Sequence, residues 1–257
     1  MKIAICTLHL NDWYSKIVRY GVQTIRNYAE RHGYDFYEDN DVYDGERDFP
    51  WYKIKAIQKR LADYDAIMWI DADGHILKPE VKAEDFMETY IPDKDILCGK
   101  DWNGILNTGV MILRNTPYVH SILQQTWDNK EAFDKSFHEQ ASLADLYTRD
   151  VDGSKSKIYI LPIEQQRVLF CYWYAYYPDN KPFFMHIARC SGNREGFIFT
   201  LDSFCPLKME EETQERYERR MKWLATPELC RKDIDGWLNG SGMGDCISAR
   251  NYKIQWS

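Results

Sequence analysis

The chain has 257 residues, of which 44% are hydrophobic and 15% aromatic, enough to bury the core of one large domain or two small ones. Its formal net charge of −7 argues against nucleic acid as a partner, because a phosphate-binding surface needs excess positive charge. No run approaches the ~18 consecutive apolar residues that read as a membrane span.

Strand and helix patterns alternate in the first half of the chain. Apolar residues at helical spacing precede Gly33, a residue type that commonly ends helices. Such alternation predicts a largely parallel sheet with helices on both faces. In chain order, the predicted elements are strand 2–6, helix 15–31, strand 34–37, helix 51–61 and strand 66–70.

The pattern becomes mixed in the second half, where no internal repeat or long linker is visible. We predict one α/β domain over residues 1–205, followed by a helical C-terminal extension, 206–257, that packs on it. The tail from about residue 235 is expected to be loosely held. The predicted elements are strands 95–98 and 108–113, helices 117–127 and 138–147, strands 157–161 and 183–187, and helix 210–224.

The most informative stretch is IMWIDADGH, residues 67–75, in which an apolar strand runs straight into Asp71 and Asp73. Open α/β sheets bind ligands at the carboxyl ends of their strands. Two carboxylates one residue apart can both reach one divalent cation, whose other partners would be diphosphate oxygens. Such an ion neutralises a nucleoside diphosphate leaving group, so the pattern is typical of nucleotide-sugar transfer.

Two other chemistries use a similar pattern. A calcium-binding loop would need an aspartate where this chain has Trp69, and it would follow a helix rather than an apolar strand. An aspartyl-phosphate hydrolase has threonine or valine where this chain has His75, and it usually carries the motif on its first strand. The phosphohydrolase stays open as the alternative enzyme, and two aspartates that merely cap a turn stay open as the structural alternative.

Several sequence blocks, in one order, carry a resemblance to a known family. The blocks are WYK at 51–53, WIDADGHI at 69–76, LNTGVMILRN at 106–115, HEQASL at 138–143 and, more weakly, FFMHIARC at 183–190. Together they span more than half of the chain. In these blocks the chain resembles the metal-dependent glycosyltransferases that include fungal alpha-galactosyl- and mannosyltransferases and plant xyloglucan xylosyltransferases.

The resemblance implies a GT-A fold, which is a Rossmann-like nucleotide-binding mixed sheet flanked by helices. It implies Mn²⁺ or Mg²⁺ as cofactor, with Asp71, Asp73 and His186 as the protein ligands. Without the resemblance, a lone histidine after a strand is more often structural. The implied partners are a nucleotide-sugar donor, expected to be linked to UDP, and a glycan or glycoconjugate acceptor.

The resemblance also assigns residues to the donor. The nucleotide would lie near Thr7 and Leu8, with Tyr14 stacked on its base, and Lys53 would face the donor. The family commonly has a phosphate-binding lysine where this chain has residues 191–193, so Arg189 or Arg194 would have to replace it. The remaining donor contacts are expected from Asp71, Ala72, Asn107, Thr108 and Gly109.

The catalytic assignment depends on stereochemistry. An inverting enzyme needs a carboxylate base on the acceptor hydroxyl, which Glu139 or Asp101 could supply. A retaining enzyme needs a group near the far face of the anomeric carbon, and Gln140 occupies the family's position for it. Because the xylosyl- and galactosyl-type relatives retain, retention is favoured. A carbohydrate-binding relative without activity is the alternative that is not an enzyme.

The aromatic run at residues 170–177 could stack on acceptor sugar rings or form a core strand. The seven cysteines show no CxxC pair, which favours buried, reduced thiols. The N-terminus resembles a first strand rather than a signal peptide. We therefore expect a cytoplasmic protein of a bacterial or viral type, or else a trimmed form of a Golgi-luminal enzyme.

Overall fold

The computed structural model describes residues 1–10, 12–101, 104–132, 137–172, 181–187 and 194–240. Its strands are β1 (Ile3–Thr7), β2 (Asp35–Glu38), β3 (Ala66–Ile70), β4 (Gly74–Ile76), β5 (Ile96–Lys100), β6 (Leu106–Arg114), β7 (Ile158–Ile160), β8 (Phe170–Tyr172) and β9 (Phe184–His186). Its α-helices are α1 (Asp12–His32), α2 (Tyr52–Leu61), α3 (Ala83–Tyr90), α4 (Pro117–Asp128), α5 (His138–Thr148), α6 (Ser154–Lys157), α7 (Arg194–Phe204), α8 (Gln214–Ala225) and α9 (Pro227–Gly240).

The main sheet is mixed, with the strand order β2-β1-β3-β6-β5-β7. Strands β2, β1 and β3 are parallel, β6 is antiparallel to both β3 and β5, and β7 is parallel to β5. A second, three-stranded sheet has the order β4-β9-β8. Because β4 begins just after the two aspartates, this second sheet lies against the carboxyl end of β3.

Strand β3 is buried along its whole length because apolar side chains are packed on both of its faces. Ala66, Met68 and Ile70 belong to one apolar cluster, which includes residues of α1, α3, α8 and α9. Ile67 and Trp69 belong to the other, which includes residues of α2, α4 and α5. This alternation explains why a continuous apolar run, rather than an alternating one, precedes the aspartates.

The predicted α/β class and the helical C-terminal extension are confirmed. Leu224, Cys230 and Ile234 of that extension lie in the same apolar cluster as β1 and β3. The division of the chain at residue 205 stays a prediction, and the part of the expected loose tail beyond Gly240 lies outside the described residues. The sequence analysis did not predict β4, α3, α7 or α9, and β8 was only one of its two interpretations of the aromatic run.

The five cysteines that the structure describes are buried and free of disulfides, as predicted for those positions. Gly33 follows α1 with φ +70°, so it ends the helix in the left-handed conformation that glycine adopts without strain. None of the helices in the described part of the chain has the length and apolarity that crossing a bilayer requires.

Helix α1 lies directly against the backbone that follows the two aspartates. A Cβ on Gly21 would overlap the carbonyl oxygens of Ala72 and Gly74. One turn further along, the Thr24 hydroxyl accepts a hydrogen bond from the backbone N–H of Ile76 at 3.1 Å. The close approach of α1 therefore determines where β4, and with it the second sheet, begins.

We predict that Gly21→Ala lowers the free energy of unfolding by about 2–3 kcal/mol, because the added methyl group must displace backbone atoms. The matched control is Gly236→Ala in α9, where an added Cβ meets nothing within 4 Å. That change should raise the free energy of unfolding by about 0.5–1 kcal/mol through helix propensity. Urea denaturation of both variants provides the comparison, and equal effects would contradict the close packing of α1.

Candidate metal centre and active site

Asp71, Asp73 and His186 lie together at the carboxyl end of β3. Their ligand atoms all lie within 4.8 Å of one another. The Nε2 atom of His186 is 3.3 Å from Asp73 Oδ1 and 3.8 Å from Asp71 Oδ2. The structure thus brings together the three residues that the sequence analysis singled out.

The pairing of β4 with β9 brings His186 to the aspartates. These strands are antiparallel, and His186 is directly opposite Gly74, the residue after Asp73. The backbone N–H of Ile187 also donates to the carbonyl oxygen of Asp73 at 2.8 Å. A one-residue change of register would turn His186 to the other face of the sheet, so this pairing specifies its position.

The donor set fits a hard divalent cation. Oxygen and imidazole ligands bind such ions at about 2.1 Å, which puts neighbouring ligand atoms about 3–4 Å apart. The separations between His186 and the two carboxylates lie in this range. The Asp71 side chain is 25% exposed and that of Asp73 is 18% exposed. A metal ion that carries a bound nucleotide could therefore reach both carboxylates.

The site stabilises positive charge. Burial raises the pKa of Asp71, with Lys53 opposing this effect and Asp73 adding to it. Burial also opposes ionisation of Asp73, but His186 outweighs it and lowers the pKa of that carboxyl. Burial disfavours a charged imidazole, yet the two aspartates raise the pKa of His186. The two carboxylates therefore favour a positive charge on the neighbouring imidazole, and the same charges could attract a metal cation.

Lys53 is buried beneath Asp71 rather than exposed to solvent. Its ammonium nitrogen lies 3.0 Å from Asp71 Oδ1 and 3.0 Å from Glu139 Oε1. It also donates to the carbonyl oxygen and the hydroxyl of Thr108, each at 3.1 Å. Burial lowers the pKa of Lys53, but the two carboxylates outweigh it and raise that pKa above its usual range. Lys53 therefore stays charged and orients Asp71.

A break in the pairing of β5 with β6 releases residues 108–110 for the site. Cys98 is opposite Met111, whereas the next residue, Gly99, is opposite Asn107, so 108–110 have no β5 partner in this register. Such irregularities redirect side chains next to active sites. Here the carbonyl oxygen of Gly109 accepts from the backbone N–H of Asp71 at 2.8 Å.

Asp101 and Gln140 form a buried pair next to this segment. The Gln140 amide donates to Asp101 Oδ2 at 2.9 Å, and its carbonyl oxygen accepts from the backbone N–H of Thr108 at 3.1 Å. Asn107 Oδ1 accepts from the backbone N–H of Gly109 at 2.8 Å. Asn107, Thr108 and Gly109, predicted to line the sugar pocket, are therefore bound within one internal network.

Glu139 is 3% exposed, and its Oε1 accepts from the Thr108 hydroxyl at 2.9 Å in addition to contacting Lys53. Its Oε2 is buried without a hydrogen-bond partner among the described residues. Glu139 and Gln140 follow Phe137 and His138, which have φ values of +78° and +48°. Non-glycine residues in this region store about 1–3 kcal/mol of strain each, and such strain concentrates at functional sites.

The residues predicted to bind the nucleotide lie around the end of β1. Thr7 and Leu8 are buried there, and the Thr7 hydroxyl has no hydrogen-bond partner in the described part of the chain. The Tyr14 ring is parallel to that of Phe197, with centroids 6.4 Å apart. Burial raises the pKa of Tyr14, and the charges of Asp73 and Asp71 raise it further.

Among the remaining predicted residues, Ala72 is buried between the two aspartates. Arg189 lies outside the described residues, and Arg194 begins α7. The start of the aromatic run, Phe170 to Tyr172, is the buried strand β8, so this part of the run is a core strand, one of the two predicted possibilities. The remainder, 173–177, lies outside the described residues.

Trp69 is a contributor that the sequence analysis missed. Its indole N–H donates to Asp71 Oδ1 at 2.7 Å. The only signal was its position two residues before Asp71 on the same strand, which places both side chains on one face.

The mixed sheet with helices on both faces and the acidic pair after β3 define a GT-A-type fold, as predicted. The chain is similar to a glycosyltransferase involved in the glycosylation of the major capsid of PBCV-1, with a TM-score of 0.62 at 18% identity over 79% of this chain and 99% of that one. The glycosyltransferase GlyE of Streptococcus pneumoniae TIGR4 gives a TM-score of 0.52 at 12% identity, over 94% of this chain and 64% of GlyE. At these low identities the structural likeness shows a common fold and nothing more.

Matches in sequence cover less of the chain. A family described as a protein of unknown function, DUF273, matches residues 25–146, which include Lys53 and both aspartates but not His186. An uncharacterized alpha-1,2-galactosyltransferase of Schizosaccharomyces pombe is 28% identical over 137 residues, 38% of this chain. The match spans 36% of the yeast protein, so just over a third of that relative's length is represented.

We predict that Lys53→Met lowers the free energy of unfolding by about 3 kcal/mol, because it leaves Glu139 and Asp71 without their buried counter-charge. The control is Lys55→Met on the same helix, whose ammonium lies 4.4 Å from the centre of the Trp127 ring. That change should cost about 1 kcal/mol or less. Urea denaturation in the presence of EDTA measures both, and equal losses would contradict the role of Lys53.

Proposed function

We propose that the chain is a metal-dependent glycosyltransferase. It moves a sugar from a nucleoside diphosphate donor, specifically a uridine diphosphate sugar, to a hydroxyl group of a glycan or glycoconjugate. The names of the similar proteins support this class of reaction, since two structures of the same fold are glycosyltransferases and the yeast relative is named a galactosyltransferase.

The observation that carries the proposal is the convergence of Asp71, Asp73 and His186 at the carboxyl end of β3. Ligands of open α/β sheets bind at this edge. These three residues would hold Mn²⁺ or Mg²⁺, and the ion would offset the charge that develops on the departing diphosphate. Lys53 would hold Asp71 in the orientation that the ion requires.

The chain's own residues would orient the donor. Tyr14 would pack on the nucleotide base beside Thr7 and Leu8, and Arg189 would bind phosphate. Asn107 and Thr108 are bound to other groups of the protein, so they would shape the wall of the sugar pocket by their rigidity rather than by free hydrogen-bonding groups. A wall with fixed dipoles needs little reorganisation during the reaction.

We propose retention of configuration. The amide of Gln140 is held at both ends, by Asp101 and by the backbone of Thr108, which supports a role as a fixed group beside the anomeric carbon. Glu139 is buried against Lys53, which disfavours it as a base that must accept a proton from the acceptor. Asp101, with both oxygens hydrogen-bonded, would support Gln140.

The direct test is a panel of UDP- and GDP-linked sugars, with release of the nucleoside diphosphate measured in Mn²⁺ and in EDTA. We expect release from a UDP-sugar that EDTA abolishes and Mn²⁺ restores. We also expect UDP to raise the Tm only when Mn²⁺ is present. No release from any donor in any metal would overturn the proposal, and hydrolysis of p-nitrophenyl phosphate in its place would favour the phosphohydrolase.

We predict that His186→Ala raises the Mn²⁺ concentration needed for half-maximal activity by at least about tenfold, since loss of even an outer contact typically costs that much. The control is His120→Ala, because His120 is exposed on α4 and bonds to Asn115 at 2.8 Å. The control should have the wild-type metal dependence. An unchanged metal titration for His186→Ala would remove His186 from the ligand set.

The stereochemical proposal is tested with the donor that the panel identifies. NMR of the product at the earliest turnover should show an anomeric configuration identical to that of the donor. An inverted product would instead require a carboxylate base and would shift the catalytic assignment from Gln140 to Asp101 or Glu139.

A further inference from the structure

Tyr172 lies where the metal centre meets the Asp101–Gln140 pair. It ends β8 and is 4% exposed, so it belongs to the buried part of the aromatic run. A buried tyrosine hydroxyl needs hydrogen-bond partners. Those partners show whether the residue only packs in the core or also orients other side chains.

The ring of Tyr172 is packed on the imidazole of His186. The two rings are 5.4 Å apart between centroids and inclined by 21°, which is a stacked arrangement. On Gly109 an added Cβ would lie 2.9 Å from His186 Nδ1, so the imidazole also lies close against this glycine. Nδ1 is buried and has no hydrogen-bond partner among the described residues. The orientation of His186 therefore depends on packing instead of the usual hydrogen bond to the second ring nitrogen.

The hydroxyl of Tyr172 connects to the other half of the site. It accepts from Asn107 Nδ2 at 3.0 Å and donates to Asp101 Oδ1 at 3.0 Å. The second oxygen of Asp101 accepts from Gln140 at 2.9 Å. Gln140 in turn accepts from the backbone N–H of Thr108. These bonds link Tyr172 to residues of β6 by two routes, which restricts how far Asp101 and Gln140 can move.

We propose that Tyr172 is a positioning residue that couples the metal ligand His186 to the Asp101–Gln140 pair. Its ring fixes the orientation of the His186 imidazole. Its hydroxyl fixes the position of the Asp101 carboxylate, which accepts a hydrogen bond from the Gln140 amide. The inference rests on the proposed transferase function. It goes beyond that function because it assigns two separable effects to one side chain that is not among the candidate metal ligands.

The separation is tested with Tyr172→Phe, which removes the hydroxyl and keeps the ring. Binding of Mn²⁺ to the full chain, followed by electron paramagnetic resonance of the free ion, should stay within about twofold of wild type. The kcat for transfer should fall by at least about tenfold, because displacement of a reacting group by about 1 Å can cost 10²-fold. In an Asp101→Asn background, Tyr172→Phe should have little further effect on kcat, because both changes disrupt one contact.

Tyr172→Leu removes both the ring and the hydroxyl. It should lower kcat as Tyr172→Phe does and, in addition, weaken Mn²⁺ binding by at least about tenfold. The matched control is Tyr118→Phe, because the Tyr118 hydroxyl is buried without a hydrogen-bond partner in the described part of the chain. It should change neither kcat nor Mn²⁺ affinity.

Each outcome decides the inference. Wild-type kcat in Tyr172→Phe, or wild-type Mn²⁺ affinity in a folded Tyr172→Leu, would overturn it while leaving the transferase function intact. Equal losses of Tm in both variants with unchanged kcat would show a purely structural residue and would also overturn it. A wild-type chain that uses no nucleotide sugar would reject the proposed function itself, and the inference with it.

Discussion

The ammonium group of Lys53 is the cation around which the site is assembled. It contacts carboxylate oxygens of Asp71 and Glu139 at 3.0 Å and donates to both oxygens of Thr108. These four residues come from α2, the end of β3, β6 and α5. A shift of any one of these elements would leave a buried charge without its partner, which is far more costly than the loss of an exposed ion pair. The contact therefore fixes two helices against the sheet and orients Asp71 at the same time.

His186 is held by strand pairing and packing rather than by an ion pair with Lys53. It is placed by the register of β4 with β9 and by packing between Tyr172 and Gly109. The contacts of Lys53 and those of His186 meet on β6. There Thr108 accepts a hydrogen bond from Lys53, and the adjacent Gly109 lies against the imidazole. Strand β6 can contact both Lys53 and His186 because its residues 108–110 are not paired with β5. The result is a polar site whose side chains are hydrogen-bonded to one another, and dipoles that are oriented before a ligand arrives give the most effective electrostatic stabilisation.

The sequence predicts this arrangement best where a local pattern decides the structure. The apolar run before Asp71 specifies a buried strand, because both of its faces are covered. The second sheet is harder to predict: β9 lies within the predicted strand 183–187, but β4 and β8 have three residues each, too few to show a period. The sequence also could not reveal that Lys53 is buried while neighbouring Lys59 is partly exposed and paired with Asp41, because the partner Glu139 comes from a distant helix. His186 was found only through the ordered motifs, since nothing in its immediate surroundings distinguishes a ligand from a structural histidine.

The central claim is that Asp71, Asp73 and His186 hold one divalent cation at the carboxyl end of β3. The most direct measurement is anomalous diffraction at the manganese edge from crystals grown with Mn²⁺ and UDP. The account predicts one strong anomalous peak within about 2.3 Å of a ligand atom of each of the three residues, with diphosphate oxygens completing the coordination. Bound UDP with no anomalous peak there, or a peak that excludes His186, would contradict it.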